Sequence, residues 1–375
     1  MTFKKIKRAE KLSCLIKDKA KDIGFDLAGI CSAKPFNRAY KVLIERKKKE
    51  DLSIFTNQDI RLLTTPKLHL PEARSIIAVA LSYANKNYNN NQELFISSYT
   101  QGLDYHMIMK KKLNLLIDYI KTLSTDLKYK AYSDTGAILD REIAYRAGIG
   151  WIGKNNNIIN PEYGSYIFLG EIITNLELIF DKKINNNCGN CTLCIDNCPG
   201  KALQKNNYFI PDNCLSNITQ EKGIISDKKR KLIGNSLWGC DRCQDVCPYN
   251  KNIPLNIHPE FYPDSRLNLK TILDLNNKEL KERINGKALS WQGTRILKRN
   301  AIIIIANKKL LKYKDYISKY LDDNSPILRY YAVWALGELN QKNDKQILMN
   351  MLNKEKDTNV KLEINKSLKK IKMGG

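Results

Sequence analysis

Eight of the ten cysteines in this 375-residue chain fall between Cys188 and Cys247. The first run reads Cys188-Gly-Asn-Cys191-Thr-Leu-Cys194-Ile-Asp-Asn-Cys198-Pro199, a complete C-x2-C-x2-C-x3-C-P pattern. Spacing this tight lets one loop set three thiolates around a face of an iron–sulfur cubane, while the fourth cysteine reaches a different cluster. The second run is split into Cys214 and then Cys240-Asp-Arg-Cys243-Gln-Asp-Val-Cys247-Pro248. Crossing the fourth ligands assigns Cys188, Cys191, Cys194 and Cys247 to one [4Fe–4S] cluster. Cys198, Cys214, Cys240 and Cys243 then hold the other. Zinc is the competing metal, but its C-x2-C pairs usually stand apart and need no Cys-Pro ending. Two clusters in one module carry electrons, the alternative being a pair of structural staples. Cys14 and Cys31, outside the array, are expected as small core residues.

The rest of the composition fits a folded protein, with 43% hydrophobic and 27% charged residues. The richest apolar run, Ala301 to Ala306, falls far short of the ~18 residues that a membrane span needs. Met1 to Lys11 carries charges with no apolar stretch behind them, so neither a secretory nor a twin-arginine signal is expected, and the protein is read as cytoplasmic. A secreted disulfide scaffold would be short and carry such a signal. Sixty-three Lys and Arg against thirty-nine Asp and Glu leave a net charge of +24. Such an excess gathers polyanions, nucleic acid above all. A general bias toward Lys, Asn and Ile would produce the same surplus, and the runs Asn89–Asn91, Asn155–Asn157 and Asn185–Asn187 favour that alternative.

Ahead of the cysteines, apolar residues at helical spacing over Lys4–Lys21 lead into a strand at Phe25–Cys31. Ser75–Tyr83 is an apolar run suited to burial on both faces. Helices are expected at Leu103–Leu123 and Ala137–Ala147, the latter stopped by Gly148 at C′, and a strand at Ser165–Ile173. This alternation predicts a sheet with helices packed on it. The stretch from Ala147 to Asn155 carries Gly148, Gly150 and Gly153 but has neither the P-loop order nor a strand before its G-x-G-x-x-G letters. Bare backbone here either approaches a flat or bulky ligand or simply ends a helix. Beyond residue 256 the pattern is helical, with short amphipathic helices at Thr294–Lys308, Ile327–Leu339 and Asp344–Leu352. Pro326, Ala332, Ala335 and Leu336 suggest a HEAT-type pair. Arg295, Lys298, Arg299, Lys308, Lys309 and Arg329 concentrate basic charge there, either to meet a polyanion or as a solvated helix face.

The ordered set of motifs resembles the epoxyqueuosine reductase family. It comprises Pro71-x-Ala73-Arg74-Ser75, Tyr99-x-x-Gly102-x-Asp104-Tyr105-His106, Asp134-Thr-Gly-Ala-Ile-Leu-Asp-Arg141-Glu142 and Gly148-Ile-Gly-Trp151-Ile-Gly-Lys154-Asn155. Gly170-Glu171, the split cysteine array, Leu297-x-Arg299-Asn300-Ala301 and Trp334-Ala335-Leu336-Gly337 complete it. The likeness runs colinearly from about residue 5 to 340. It implies a cytoplasmic, monomeric enzyme that reduces epoxyqueuosine to queuosine at the wobble position of tRNA. It also implies an α/β + α architecture: a cobalamin-binding α/β domain over residues 1–185, a ferredoxin-like double [4Fe–4S] module over 186–255 and a HEAT-like tRNA-binding domain over 256–375.

On this resemblance, electrons from an external donor pass through the clusters to cob(II)alamin, and Asp134 donates the proton that helps the epoxide oxygen leave. A carboxyl does this near pH 7 when burial raises its pKa, as a pocket closed by a corrin and a nucleoside would. An N-cap is the plainer role for Asp134. Asp134, Thr135, Gly136, Arg141, Lys154, Asn155, Ile158 and Ser216 are the expected cobalamin contacts. Lys222, Lys228, Arg230, Lys231, Arg295, Lys298 and Arg299 are the expected tRNA contacts. His106 is expected as a structural or substrate-pocket residue and not as a cobalt ligand, since Met109 replaces the glycine of D-x-H-x-x-G. His69 and His258 carry no motif. The rival readings are a dehalogenase-like reductase of a small molecule, a two-cluster electron carrier and a zinc-stabilised RNA-binding scaffold.

Overall fold

The computed structural model describes residues 3–53, 56, 59–85, 93–205, 208–263 and 267–373. The Asn89–Asn91 run lies outside them. Packing divides the chain into two units. One comprises Met1–Lys86, Gly102–Asp212 and Asp241–Tyr262; the other comprises Asn87–Gln101, Asn213–Cys240 and Pro263–Gly375. The cysteine-rich segment contributes to both, since Cys214 and Cys240 belong to the second unit and the other six of the array to the first.

The first unit is built on four strands, β1 (Leu27–Ser32), β2 (Ser75–Ser82), β3 (Tyr129–Tyr132) and β4 (Ile167–Thr174). Their order is β1-β2-β4-β3 and every neighbouring pair is antiparallel. All of β2 is buried, as its unbroken apolar run predicts. Helices α1 (Phe3–Ile23), α2 (Tyr105–Leu123) and α3 (Asp140–Arg146) pack on the sheet. Strand alternation decides what each helix meets. Gly170 of β4 lies under α2, where an added Cβ would come within 2.8 Å of Met109 Sδ. Ile173, two positions beyond Glu171, joins the opposite cluster with Ala78 of β2 and Ile143 and Ala144 of α3.

Helix α3 begins three residues later than the apolar pattern predicts, because Asp134 takes a left-handed φ of +59° and the chain turns before it winds. It ends as expected. Gly148 lies at φ +72°, its N–H donates to Tyr145 O, and the N–H of Ile149 donates to Ala144 O at 3.0 Å, a Schellman closure. Gly150 and Gly153 serve the chain itself: a Cβ at either would come within 2.4 Å of Ile159, where strand Trp151–Ile152 closes on Ile158–Ile159. Cys31 is buried, but Cys14 is exposed on α1 and is not the core residue expected.

The second unit holds α4 (Leu215–Gln220), α5 (Asp227–Ile233), α6 (Thr294–Asn307), α7 (Pro326–Leu339), α8 (Asp344–Lys354) and α9 (Thr358–Met373). Pro326 opens α7 at its first turn and Asn340, left-handed at φ +54°, closes it. Helix α6 is buried without a break from Ile296 to Ala306. It is a central helix rather than an amphipathic surface one, enclosed by α7, α4, α5 and the strand Ser236–Trp238. Among the described residues no helix is long and apolar enough to cross a membrane.

Candidate active site

The residues around Cys188, Cys191, Cys194 and Cys247 form one neighbourhood in the first unit. Trp151 is fully buried between Cys188 and Cys247, and its indole N–H points to Cys188 Sγ at 3.5 Å. Burial pushes the Cys194 thiol up to about 11, and Cys188, Cys247 and Cys191 add to the rise. Burial also raises Cys247, and Cys188 and Cys191 contribute. Iron relieves this crowding, because it binds thiolate and offsets the mutual repulsion. Among the described residues no three such side chains close on a single ion; a cubane takes one thiolate at each of four irons and needs no such focus. The donor set therefore fits a [4Fe–4S] cluster. Of the second set, Cys198 and Cys243 lie in the first unit, and Cys214 is the residue on which α4 begins in the second.

A hydrogen-bonded run leads away from the first set. Lys154 Nζ donates to the carbonyls of Gly189 (2.7 Å) and Cys191 (2.9 Å), so its ammonium braces the cluster loop. Asn155 donates toward Cys243 O at 3.5 Å and its Oδ1 receives the N–H of Asn157. The next carbonyl, Asn156 O, receives a hydrogen bond from Arg141 of α3. Beside Arg141, the Oδ2 atom of Asp140 receives the backbone N–H of Asp134 at 3.1 Å. Ile158 is buried in the apolar cluster under this run and offers a ligand no side-chain surface.

Asp134 ends the run and caps no helix. Its side chain is 62% exposed, while the protein packed around its base still disfavours its charge. Tyr105 O–H donates to Asp134 Oδ2 at 2.5 Å, and His106 Nε2 lies 3.5 Å from the same oxygen. Tyr105 is held by stacking on Phe168 (4.1 Å between ring centres) and His106 by its Nδ1 on Asp104 Oδ1 at 2.7 Å. Asp104 caps α2 through the N–H of His106. Partial desolvation acts to raise the Asp134 carboxyl. Hydrogen bonds from His106 and Tyr105 and the charges of His106 and Arg141 prevail, and hold it below the usual range. This corrects the expectation of a raised carboxyl. Burial acts to lower His106, but its hydrogen bonds to Asp104 and Asp134 and their charges push it up to about 9. At neutral pH the proton therefore sits on His106, facing Asp134. The motif letters quoted Tyr105 and His106 without linking either to Asp134.

The expected tRNA contacts divide sharply. Lys222, Lys228, Lys231 and Arg295 are exposed. Arg230, Lys298 and Arg299 are buried, and the structure removes them from the group. Arg230 lies over the rings of Tyr330 and Trp334, each at 5.1 Å, and donates to Tyr330 Oη. Lys298 Nζ donates to Leu275 O at 2.8 Å. Arg299, 1% exposed, donates to the carbonyls of Thr219, Glu221 and Gly223 at the end of α4. Asn300 links Thr219 O to Leu237 O. These side chains hold the segment that carries Cys214 and Cys240 to the helices behind it. Ser216 lies in α4, and its neighbour Asn217 is buried with neither amide atom hydrogen-bonded.

Comparison with known proteins agrees with this arrangement. Residues 64–135 match the family model described as epoxyqueuosine reductase QueG, DUF1730; residues 187–250 match the 4Fe-4S double cluster binding domain; residues 287–369 match HEAT repeats. Epoxyqueuosine reductase of Bacillus cereus is 39% identical over 360 residues, 93% of this chain and 94% of that protein. That of Bacillus subtilis is 38% identical over 95% of each chain. A crystal structure of epoxyqueuosine reductase with a tRNA-Tyr epoxyqueuosine-modified stem loop superposes with a TM-score of 0.93 at 38% identity, covering 96% of this chain and 99% of that one. A Bacillus subtilis structure with its Asp134 catalytic loop swung out of the active site does so at 0.92 and 37% identity, with the same coverage. This chain belongs to the epoxyqueuosine reductase family.

Proposed function

We propose that this chain reduces the epoxide of epoxyqueuosine to the alkene of queuosine at the wobble position of tRNA, the last step in making that nucleoside. The observation that carries the reading is the run within the first unit from Gly189 and Cys191 through Lys154, Asn156, Arg141 and Asp140 to Asp134. It ties the ligands of one cluster to a carboxylate that two proton-bearing neighbours, Tyr105 and His106, both face. A plain electron carrier has no use for such a site, and a zinc scaffold has no use for eight thiolates in ferredoxin order.

Removing the epoxide oxygen as water takes two electrons and two protons. The two clusters and a cobalamin, when bound, supply the low-potential electrons. Asp134, Thr135, Gly136, Arg141, Lys154 and Asn155 would hold the cobalamin, and Ser216 is a further proposed contact. The unsatisfied amide of Asn217 fits a ligand with an amide-bearing rim. Asp134 delivers the proton to the departing oxygen and recovers it from His106, which lies 3.5 Å away. A nucleoside seated over Asp134 removes water from it and shifts the shared proton toward it. Residues 256–375, with Lys222, Lys228 and Lys231 ahead of them, would take the anticodon stem through its phosphates. The reading places the enzyme in the cytoplasm, where tRNA is modified.

The test is turnover of epoxyqueuosine-containing tRNA by anaerobically reconstituted protein beside Asp134→Asn. A positioned acid contributes about 10²–10⁴-fold, and the variant should lose that much kcat while still binding tRNA. Full activity in the variant removes Asp134 from the role. No turnover by the wild-type protein with clusters and cobalamin loaded overturns the function.

A further inference from the structure

Glu171 is out of place. It stands in β4 within the apolar sequence Ile167-Phe-Leu-Gly-Glu-Ile-Ile173, with 1% of its surface exposed, paired across the sheet with Tyr132 of β3 and Ala78 of β2. The charged or titratable groups that face it are Asp140 and Asp134 from the α3 side, Tyr132 from β3 and Cys31 from β1. None of them is a cation. Arg141 acts on Asp140 and Asp134 and donates to Asn156 O. Glu171 Oε1 and Asp140 Oδ1 are both buried, and among the described residues neither receives a hydrogen bond. The two carboxyl groups are hydrogen-bonding neighbours, a shared proton supplies the donor that both buried oxygens lack, and adjacent buried carboxylates cannot both ionise.

We propose that Asp140 and Glu171 share one proton as a buried carboxyl pair and are positioning residues that fasten the Asp134 loop for proton delivery. The proposal rests on the reading of Asp134 as the acid. Its mechanical basis is the second oxygen of Asp140, which receives the N–H of Asp134 while that residue is held at φ +59°. With the proton in place, Asp140 is drawn toward Glu171 on one side and ties Asp134 on the other. Without it, Asp140 faces two anions, turns toward water, and releases the N–H of Asp134. The pair titrates as one unit rather than as two residues. Burial, then the charge of Asp134, pushes Asp140 up to about 7, and burial with the charge of Asp140 drives Glu171 well above the carboxylate range.

The experiment uses full-length protein with clusters and cobalamin loaded. Infrared spectroscopy should show a protonated carboxyl at pH 7 that Glu171→Gln abolishes. Glu171→Leu fills the apolar site but leaves Asp140 without a partner. It should lower kcat on the order of 100-fold, the cost of misplacing a catalytic group by ~1 Å, with the KM for tRNA unchanged. Glu171→Gln, which keeps a donor toward Asp140, should recover about tenfold of that loss and remove the dependence of kcat on the pair's titration. Absence of the infrared band in the wild-type protein, or wild-type kcat in Glu171→Leu, overturns the proposal. Failure of the underlying reading is distinguishable, because Asp134→Asn would then be fully active while the infrared band persisted.

Discussion

At the scale of single residues, the proposed chemistry depends on where one proton rests. His106 holds it, because Asp104 and Asp134 together overcome the burial that would strip it. The sign of the pH dependence follows. The value in the folded protein, about 9, lies above the ordinary 6.5, so the stabilisation from this charge is complete below pH ~6.5 and is lost as pH rises through ~9. His106→Gln should therefore lower Tm at pH 6 relative to wild type, with the gap closing by pH 10. The same variant should lose roughly 10²-fold in kcat at pH 7 and lack the alkaline fall near pH 9. A wild-type profile that is flat through pH 9 would exclude His106 as the proton store.

At the scale of elements, fixed spacing made some features legible and burial hid others. The cysteine array could be read because its letters are geometric requirements of a cubane. Gly148 could be read because only a left-handed C′ residue closes a helix in that way. Arg230, Lys298 and Arg299 could not, since a charge on a helix reads as solvated until its neighbours are known. Arg230 in α5 and Lys298 and Arg299 in α6 are all covered by their neighbours. Glu171 left a trace, a lone carboxyl inside an apolar strand, but its motif letters do not link it to Asp140. Arg299 carries a prediction of its own. Replacing it by Leu leaves carbonyls at the end of α4 without donors, at about 1–3 kcal/mol for each buried group. We expect Arg299→Leu to lose about 3 kcal/mol in urea unfolding. Iron content should fall from about eight toward about four per chain, as the segment bearing Cys214 and Cys240 loosens. An unchanged iron content would show that Arg299 does not support that segment.

At the scale of the whole molecule, a net charge of +24 gives tRNA binding a strong electrostatic component. Only the exposed cations contribute to it in proportion. Each lost phosphate contact lowers the slope of log K against log salt by about 0.7–0.9. Changing Lys228 and Lys231 together to Gln should reduce the slope by about 1.5. Arg230→Gln should leave it intact and lower Tm instead, since its guanidinium is enclosed by Tyr330, Tyr331 and Trp334. Equal slopes for both variants would contradict the division between surface and interior cations.

The positive φ at Asp134 bears on how this position can be varied. Left-handed backbone is tolerated by Asn and Asp, whose short polar side chains bond locally, and resisted by longer or branched ones. Substitution by Asn thus tests acidity alone. Exchange for Glu or Ala would mix acidity with a change in the loop's shape. A saturation library at this codon should accordingly sort into two classes, catalytically dead proteins that keep the wild-type melting curve and dead proteins that do not.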